Sequence, residues 1–298
     1  MGKTTNIFLL YKISKKEHLK SLAEGKVFFS CCGKYVDIAK VGCDKGQGVK
    51  YECVFAKYLH ENSEEPIRRY KKLFGRDLLI EKEGNYVLFR RKSSLLIPTA
   101  CFYSIDNETA VTNLQGDDRK RIERITLENQ DKDEIKVDRF PLTIPQIYLD
   151  EFAVNDDSID AMVIQPRLFL IGLSRKKVQY RKITYIDTSC EYDIFRDEIY
   201  KPFYGNLSLS EAIEKRIELF FKDKKKYAHQ CELRCIIPSE LFRHINQHKI
   251  IRLSNLTSLD SSKGINQNAT GKDFIYGVKD NNMFCTVIMR REFYAELE

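Results

Sequence analysis

The sequence contains no tryptophan, no apolar run of membrane-spanning length and no Cys-x-x-Cys pair. Aromatic packing must therefore come from its 18 phenylalanines and 16 tyrosines. A membrane helix needs about 20 consecutive apolar residues, and no stretch approaches that length. The opening residues also lack the apolar core of a signal peptide. We expect a cytoplasmic protein that makes no contact with a membrane.

The nine cysteines are an odd number, which without a signal peptide argues against a secreted disulfide framework. No cysteine cluster has histidines at zinc-finger spacing. Cys231 and Cys235 could serve a metal only with two further ligands, for which His229 and His244 are the close candidates. Ordinary buried thiols explain the same cysteines, and we predict no metal site.

Charge is spread along the whole chain. Charged residues make up 31% of it, hydrophobic residues 43%, and the net charge is +7. Lysines and arginines alternate with many acidic residues, which is typical of a mixed solvated surface. Two basic runs, 174–177 and 222–226, have Tyr180 and Tyr227 nearby, a combination that suits single-stranded nucleic acid. Solvated loop ends explain these runs equally well, so binding to nucleic acid stays open.

Local patterns predict a strand, a helix and a second strand at the start of the chain. Residues 7–13 form an apolar run of strand length. Ser14 and Glu17 then fit a capping box that would open a helix. Gly25 lies where a left-handed helix end belongs, and residues 26–30 resume as a strand.

Later segments show similar local signals. Residues 77–82 and 86–90 indicate a hairpin, because two strand-like runs flank a Gly-containing turn. Ser208 and Glu211 fit a second capping box. A helix is expected over residues 239–248.

These elements predict an α+β fold. They do not form a regular βαβ array, and residues 34–72 look helical or irregular. We therefore expect a mixed, largely antiparallel sheet core with flanking helices. The prediction is a single large domain over residues 1–298, with a charged connector or insertion at about 113–138.

A candidate site lies on the strand predicted over residues 227–237. Period two places Gln230, Glu232 and Arg234 on one face and a core-like set of side chains on the other. A structural ion pair or a solvated outer face would explain a glutamate and an arginine inside a strand. The functional alternative is a catalytic glutamate, because a carboxylate in a cleft can stabilise the oxocarbenium-like centre that forms as a glycosidic bond breaks. Nicotinamide ribosides react in this way without a metal.

The triplet Gln230-Cys231-Glu232 resembles the Q/E-x-E motif of the ADP-ribosyltransferase superfamily. Residues 10–30 also resemble the first strand, helix and strand of small bacterial and phage-encoded members of that superfamily. The resemblance implies an ADP-ribosyltransferase-like fold that uses NAD as substrate and no metal. It assigns the catalytic roles to Glu232, which would grip the nicotinamide ribose, and to Gln230, which would present the acceptor.

The same resemblance places Tyr11 and Lys12 at the first NAD-contact position and Ser30 at the end of the second strand, so that all three would line the NAD cleft. The chain departs from the family pattern at two places. Its first strand carries no arginine or histidine, and no Ser-Thr-Ser triplet occurs. Asp187-Thr188-Ser189 is the nearest approximation to that triplet.

The leading functional prediction is an NAD-dependent ADP-ribosyltransferase-like effector, a toxin or phage-defence protein that modifies a nucleic-acid or protein acceptor. The alternative from another class is a non-catalytic nucleic-acid-binding or protein-binding protein of a bacterial or phage conflict system. A nuclease or hydrolase is a third possibility, disfavoured because the sequence shows no compact cluster of acidic residues, histidine and lysine.

Overall fold

The computed structural model describes residues 9–40, 51–105, 116–129, 131–132, 134–141, 159–164, 166–205, 207–253 and 284–290. These residues form two compact units. The first unit contains the described residues of 26–101 and 173–253, and the second contains those of 9–25, 102–172 and 284–290. Among the described residues, no helix combines the length and the apolar character that crossing a membrane requires.

Fifteen strands and nine α-helices are found in the described ranges. The strands are β1 Leu9–Lys15, β2 Lys26–Cys31, β3 Val54–Leu59, β4 Leu78–Glu83, β5 Tyr86–Arg91, β6 Pro98–Ile105, β7 Glu134–Pro141, β8 Ile159–Ile164, β9 Gln179–Lys182, β10 Thr184–Ile186, β11 Tyr192–Asp193, β12 Phe221–Asp223, β13 Glu232–Ile236, β14 His248–Arg252 and β15 Phe284–Arg290. The α-helices are α1 Lys16–Ala23, α2 Gly33–Lys40, α3 Glu64–Phe74, α4 Lys92–Leu95, α5 Gly116–Leu127, α6 Pro166–Arg175, α7 Lys201–Tyr204, α8 Leu209–Glu214 and α9 Lys224–Tyr227. Short 3₁₀ turns cover His60–Asn62, Gly75–Asp77, Glu198–Tyr200, Ile217–Phe220 and Ala228–Gln230.

A four-stranded antiparallel sheet forms one part of the first unit, in the order β11-β3-β5-β4. Its β4–β5 hairpin confirms the predicted one, and Gly84 takes the positive φ of 56° that the turn requires. Phe55 and Phe89 from this sheet pack with Tyr70 of α3 in an apolar core. The rings of Phe55 and Tyr70 meet edge to face at 4.9 Å.

A second antiparallel set of strands in the first unit holds the candidate site. Strand β2 pairs with β14 and with the start of β6, and β13 pairs with β6 and β9. Beside these strands, β10 and β12 form a short parallel pair. The predicted site residues Gln230 and Glu232 lie where the chain enters β13.

In the second unit, β1 lies between β8 and the end of β6, with both pairings antiparallel. Strands β7 and β15 form a separate antiparallel pair. The fold class is therefore α+β with a mixed, largely antiparallel sheet content, as predicted. That residues 1–298 form a single large domain stays a prediction.

The two predicted capping boxes have opposite outcomes. Ser208 accepts from the backbone N–H of Glu211, and the Glu211 side chain accepts from the backbone N–H of Ser208, so this box is confirmed. Ser14 belongs instead to β1, where it pairs with Asp160, and α1 starts after Lys15 without a side-chain cap. That capping prediction is wrong because the strand pairing with β8 extends through the residue that would have capped the helix.

Within the charged segment 113–138, α5 and the start of β7 are regular elements, and Ile122 is fully buried. That this segment is a connector or insertion stays a prediction. Two other local predictions need correction. The helix expected over 239–248 is a series of turns leading into β14. The stretch 34–72 includes the buried strand β3, which the sequence did not reveal.

Candidate functional site

The chain enters β13 through a sharp change of backbone direction. Gln230 ends a 3₁₀ turn, Cys231 has a left-handed φ of 40°, and β13 begins at Glu232. Gln230 is therefore outside the strand, and the predicted alternation does not extend to it. All five residues of β13 are buried, so the expected contrast between a core face and a polar face is wrong. The strand is enclosed on both faces, and its charged side chains must be neutralised inside the protein.

Glu232 is surrounded by hydrogen-bond donors and is only 5% exposed. The Nζ of Lys222, in β12, donates to its Oε2, and the Nε of Arg234 donates to its Oε1 at 2.8 Å. Lys222 Nζ also donates to Oε1 of Gln230 at 3.2 Å. The two residues of the predicted catalytic motif thus meet at one buried ammonium group.

Arg234 extends this cluster to a second carboxylate. Its Nη1 donates to Oε1 of Glu52 and to the backbone oxygen of Leu219, and its Nη2 donates to Oε2 of Glu52 at 3.1 Å. The four charges of Lys222, Glu232, Arg234 and Glu52 alternate in sign and sum to zero. We refer to these four residues as the buried ion network. Arg234 has no exposed surface.

The ion network keeps the carboxyl group of Glu232 ionised. Burial by itself would raise the pKa of Glu232, but the charges of Arg234 and Lys222 outweigh it and hold the pKa below its usual value. Burial would likewise lower the pKa of Arg234, and the two carboxylates of Glu232 and Glu52 raise it instead. The carboxyl group of Glu232 therefore stays negatively charged although it is almost fully buried.

A chain of weaker contacts links Ser30 to this carboxylate. The Ser30 side chain is hydrogen-bonded to the hydroxyl of Tyr35, which lies 3.8 Å from the sulfur of Cys101. The Cys101 thiol is in turn hydrogen-bonded to Glu232. On the backbone side, the N–H of Glu232 donates to the hydroxyl oxygen of Tyr185 at 2.9 Å. Ser30 is therefore connected to Glu232 through two intervening side chains.

Tyr11 and Lys12 lie on β1, in the second unit. Tyr11 is buried, and its ring meets that of Tyr103 at 6.1 Å between centroids. The Nζ of Lys12 lies 5.3 Å from the centroid of the Phe102 ring. Their assignment to an NAD cleft stays a prediction.

The segment Asp187-Thr188-Ser189, the nearest approximation to a Ser-Thr-Ser triplet, contacts Asp223, which follows Lys222 in β12. The hydroxyl of Thr188 donates to Oδ2 of Asp223. The N–H and hydroxyl of Ser189 donate to Oδ1 of Asp187 at 2.8 and 2.6 Å. Thr188 is buried and Ser189 is exposed, so the segment fixes the end of β12 and presents one hydroxyl to solvent.

Two members of the ion network were not identified from the sequence. The sequence places Lys222 in the basic run 222–226, which fits either a nucleic-acid contact or a solvated loop end. Lys222 is instead buried in β12, and within this run Lys224, Lys225 and Lys226 are exposed. The pattern of Phe221, Lys222 and Asp223 does not indicate that the side chain of Lys222 faces the protein interior. Glu52 stood next to Cys53 in a segment with no recognisable pattern.

The cysteines and histidines considered for zinc do not assemble. Within the described part of the chain, Cys231, Cys235, His229 and His244 form no set with ligand atoms close enough for one ion. A different group does converge, because the ligand atoms of Cys32, Glu52 and Cys53 lie within 4.8 Å of one another.

No family model matches this chain, and neither a curated protein nor a solved structure matches it.

Proposed function

We propose that this chain is an NAD-dependent ADP-ribosyltransferase-like effector that acts in the cytoplasm on a nucleic-acid or protein acceptor. In this proposal the fold is ADP-ribosyltransferase-like, Glu232 stabilises the positive ribosyl centre and Gln230 presents the acceptor. One observation carries the proposal: Gln230 and Glu232 meet at the ammonium of Lys222. The pKa of Glu232 is held low, so the carboxylate is charged at neutral pH, as such a role requires.

The position of Lys222 suggests how substrate would enter. Its ammonium pairs with Oε2 of Glu232, where the carboxylate stabilises a positive charge. An oxocarbenium-like ribose also carries positive charge and would gain from the same carboxylate. The proposal therefore requires the nicotinamide ribose of NAD to displace Lys222 from Glu232. Arg234 would keep the carboxylate oriented through its 2.8 Å contact during this exchange.

A second candidate function is supported by the burial of the same residues. Both carboxylate oxygens of Glu232 are occupied, and every member of the ion network is buried. A purely structural network would explain a glutamate and an arginine inside β13 without any catalysis. The chain would then be a non-catalytic binding protein, for which the exposed Lys224, Lys225 and Lys226 offer contacts to an acidic partner such as nucleic acid.

The two candidates separate in one assay of NAD chemistry. Wild-type protein, Glu232→Gln and the matched control Glu240→Gln are incubated with NAD labelled in its adenylate part. RNA, single-stranded DNA and a protein extract are offered as acceptors. Nicotinamide release and label transfer are measured. Glu240 is partly exposed and pairs with Lys249 at 2.6 Å, so its variant removes a carboxylate charge far less buried than Glu232.

If the proposal is correct, the wild type and Glu240→Gln release nicotinamide at equal rates. Glu232→Gln then loses about a hundredfold or more in rate, because a charge that acts on the transition state is gone. The proposal is wrong if the wild type neither binds NAD nor releases nicotinamide with any acceptor. Nucleic-acid affinity that weakens with salt and falls in a Lys224→Glu variant would then support the binding protein.

A further inference from the structure

Two thiols that the proposed function does not use lie in contact inside the first unit. Cys32 directly precedes α2 and Cys53 directly precedes β3, and neither has any exposed surface. Their sulfur atoms are 3.3 Å apart. A disulfide bond is about 2.05 Å long, so the two sulfurs need to approach by only about 1.3 Å to form one.

Both cysteines are held against the same segment of backbone. The N–H of Cys32 donates to the carbonyl oxygen of Ile97 at 3.1 Å, and the thiol of Cys53 points to the carbonyl oxygen of Ser94 at 3.9 Å. Cys53 also adopts a left-handed φ of 61°, which residues other than glycine rarely take. The surrounding structure therefore maintains an unfavourable backbone conformation that keeps the two sulfurs together.

The neighbouring carboxylate does not make this pair a metal site. The thiol of Cys32 donates to Oε1 of Glu52 at 3.6 Å, but both oxygens of Glu52 already accept from the guanidinium of Arg234. A cation bound between the sulfurs and Glu52 would compete with that guanidinium and be repelled by its charge. The geometry favours chemistry between the sulfurs themselves.

We propose that Cys32 and Cys53 form a reversible dithiol–disulfide couple, oxidised by a peroxide. In the first step a thiol loses its proton, the thiolate sulfur attacks one oxygen of hydrogen peroxide and the O–O bond breaks. The hydroxide that leaves takes up the thiol proton, so that a sulfenic acid and water form. In the second step the other sulfur attacks the sulfenic sulfur, the S–O bond breaks, and the hydroxide leaves as water with the thiol proton. The two sulfurs together lose two electrons, and the two peroxide oxygens gain them. This proposal does not depend on the NAD chemistry proposed above.

Burial determines how fast the couple reacts. It raises the pKa of both thiols, so the thiolate needed for attack is scarce and oxidation is slow. The exposed Cys190 should therefore be oxidised first. The disulfide, once formed, is shielded from attack by other thiols and should be reduced slowly by them.

The test uses the full-length wild-type protein and needs no variant for its main result. The protein is treated with hydrogen peroxide, denatured, alkylated and digested. Among the nine cysteines, we expect Cys32 and Cys53 to lose alkylation in addition to Cys190, and we expect a cross-linked peptide that joins Cys32 to Cys53. Reduction with dithiothreitol should restore both thiols. The unfolding temperature of the oxidised protein should rise by on the order of 5 °C, because the disulfide closes a loop of about twenty residues.

Variants provide the matched controls. Cys53→Ala should abolish the cross-link and the rise in unfolding temperature, whereas Cys190→Ala should leave both unchanged. Three results would overturn the proposal. One is a wild-type protein whose Cys32 and Cys53 stay reduced even when peroxide treatment is continued far beyond the dose that fully oxidises Cys190. Another is a cross-link that maps to Cys31 or to another partner. The third is recovery of zinc in proportion to the protein, released only when Cys32 is alkylated.

Discussion

Replacing Glu232 with glutamine is the most direct test of the buried ion network. The substitution keeps the size of the side chain and its ability to accept hydrogen bonds, but it removes one negative charge. The network then changes from neutral to a net charge of +1, since Lys222, Arg234 and Glu52 remain. Arg234 keeps both of its contacts with Glu52. Lys222 keeps only uncharged acceptors, with Gln230 at 3.2 Å as the one already in place.

The expected cost follows from the burial of Lys222, which is 6% exposed. Removing one partner of a buried ion pair typically costs about 3–5 kcal/mol, because the other charge is left uncompensated. That is a large part of the about 5–15 kcal/mol that usually stabilises a domain. At about 2 °C per kcal/mol for a chain of this size, the unfolding temperature should fall by on the order of 6–10 °C.

The pH dependence supplies a second signature of the same charge. The pKa of Glu232 is lowered in the folded state relative to its usual 4.5. A carboxyl group with a lowered folded pKa stabilises the fold above its unfolded pKa, and that stabilisation is lost as pH falls toward the folded value. The difference in free energy of unfolding between wild type and Glu232→Gln should therefore be full at pH 7. It should shrink progressively as pH falls below about 5.

Urea unfolding at a series of pH values measures both quantities, with Glu240→Gln as control. Glu240 and Lys249 are about 40% exposed, so breaking their pair should cost about 0–1 kcal/mol. The reasoning fails if Glu232→Gln is no more destabilising than the control at pH 7. It also fails if the difference between wild type and Glu232→Gln stays constant from pH 7 to acid pH.

Two further substitutions test neighbouring parts of the argument. Lys222→Met should lower the free energy of unfolding in urea by about 2–4 kcal/mol. Combining it with Glu232→Gln should recover much of that cost, because no unpaired charge is left. Strictly additive losses would contradict a direct coupling between Lys222 and Glu232. Ser208→Ala should cost about 1 kcal/mol through the lost cap of α8, whereas Ser210→Ala on the same helix should cost much less. Equal effects of these two serine variants on the urea midpoint would show that the capping box does not stabilise the helix.

Local sequence patterns predicted elements whose contacts are close in the chain. The β4–β5 hairpin and the α8 capping box form between residues a few positions apart, so their signals are contained in short segments. Ser14 illustrates the limit of such reasoning. Ser14 and Glu17 satisfy the same local pattern as Ser208 and Glu211, but the pairing of β1 with β8 places Ser14 in a strand.

The sequence by itself determined that the protein combines helices with largely antiparallel strands, because apolar spacing and turn residues act over a few positions. It also drew attention to Glu232 and Arg234 as charges in an unusual place. Only the tertiary structure decided what surrounds them. Arg234 meets Glu52 across 182 residues of chain, and no local pattern encodes a partner at that distance. Whether a charged side chain faces water or another charge is set by the neighbouring strands, and these are brought together only when the chain folds.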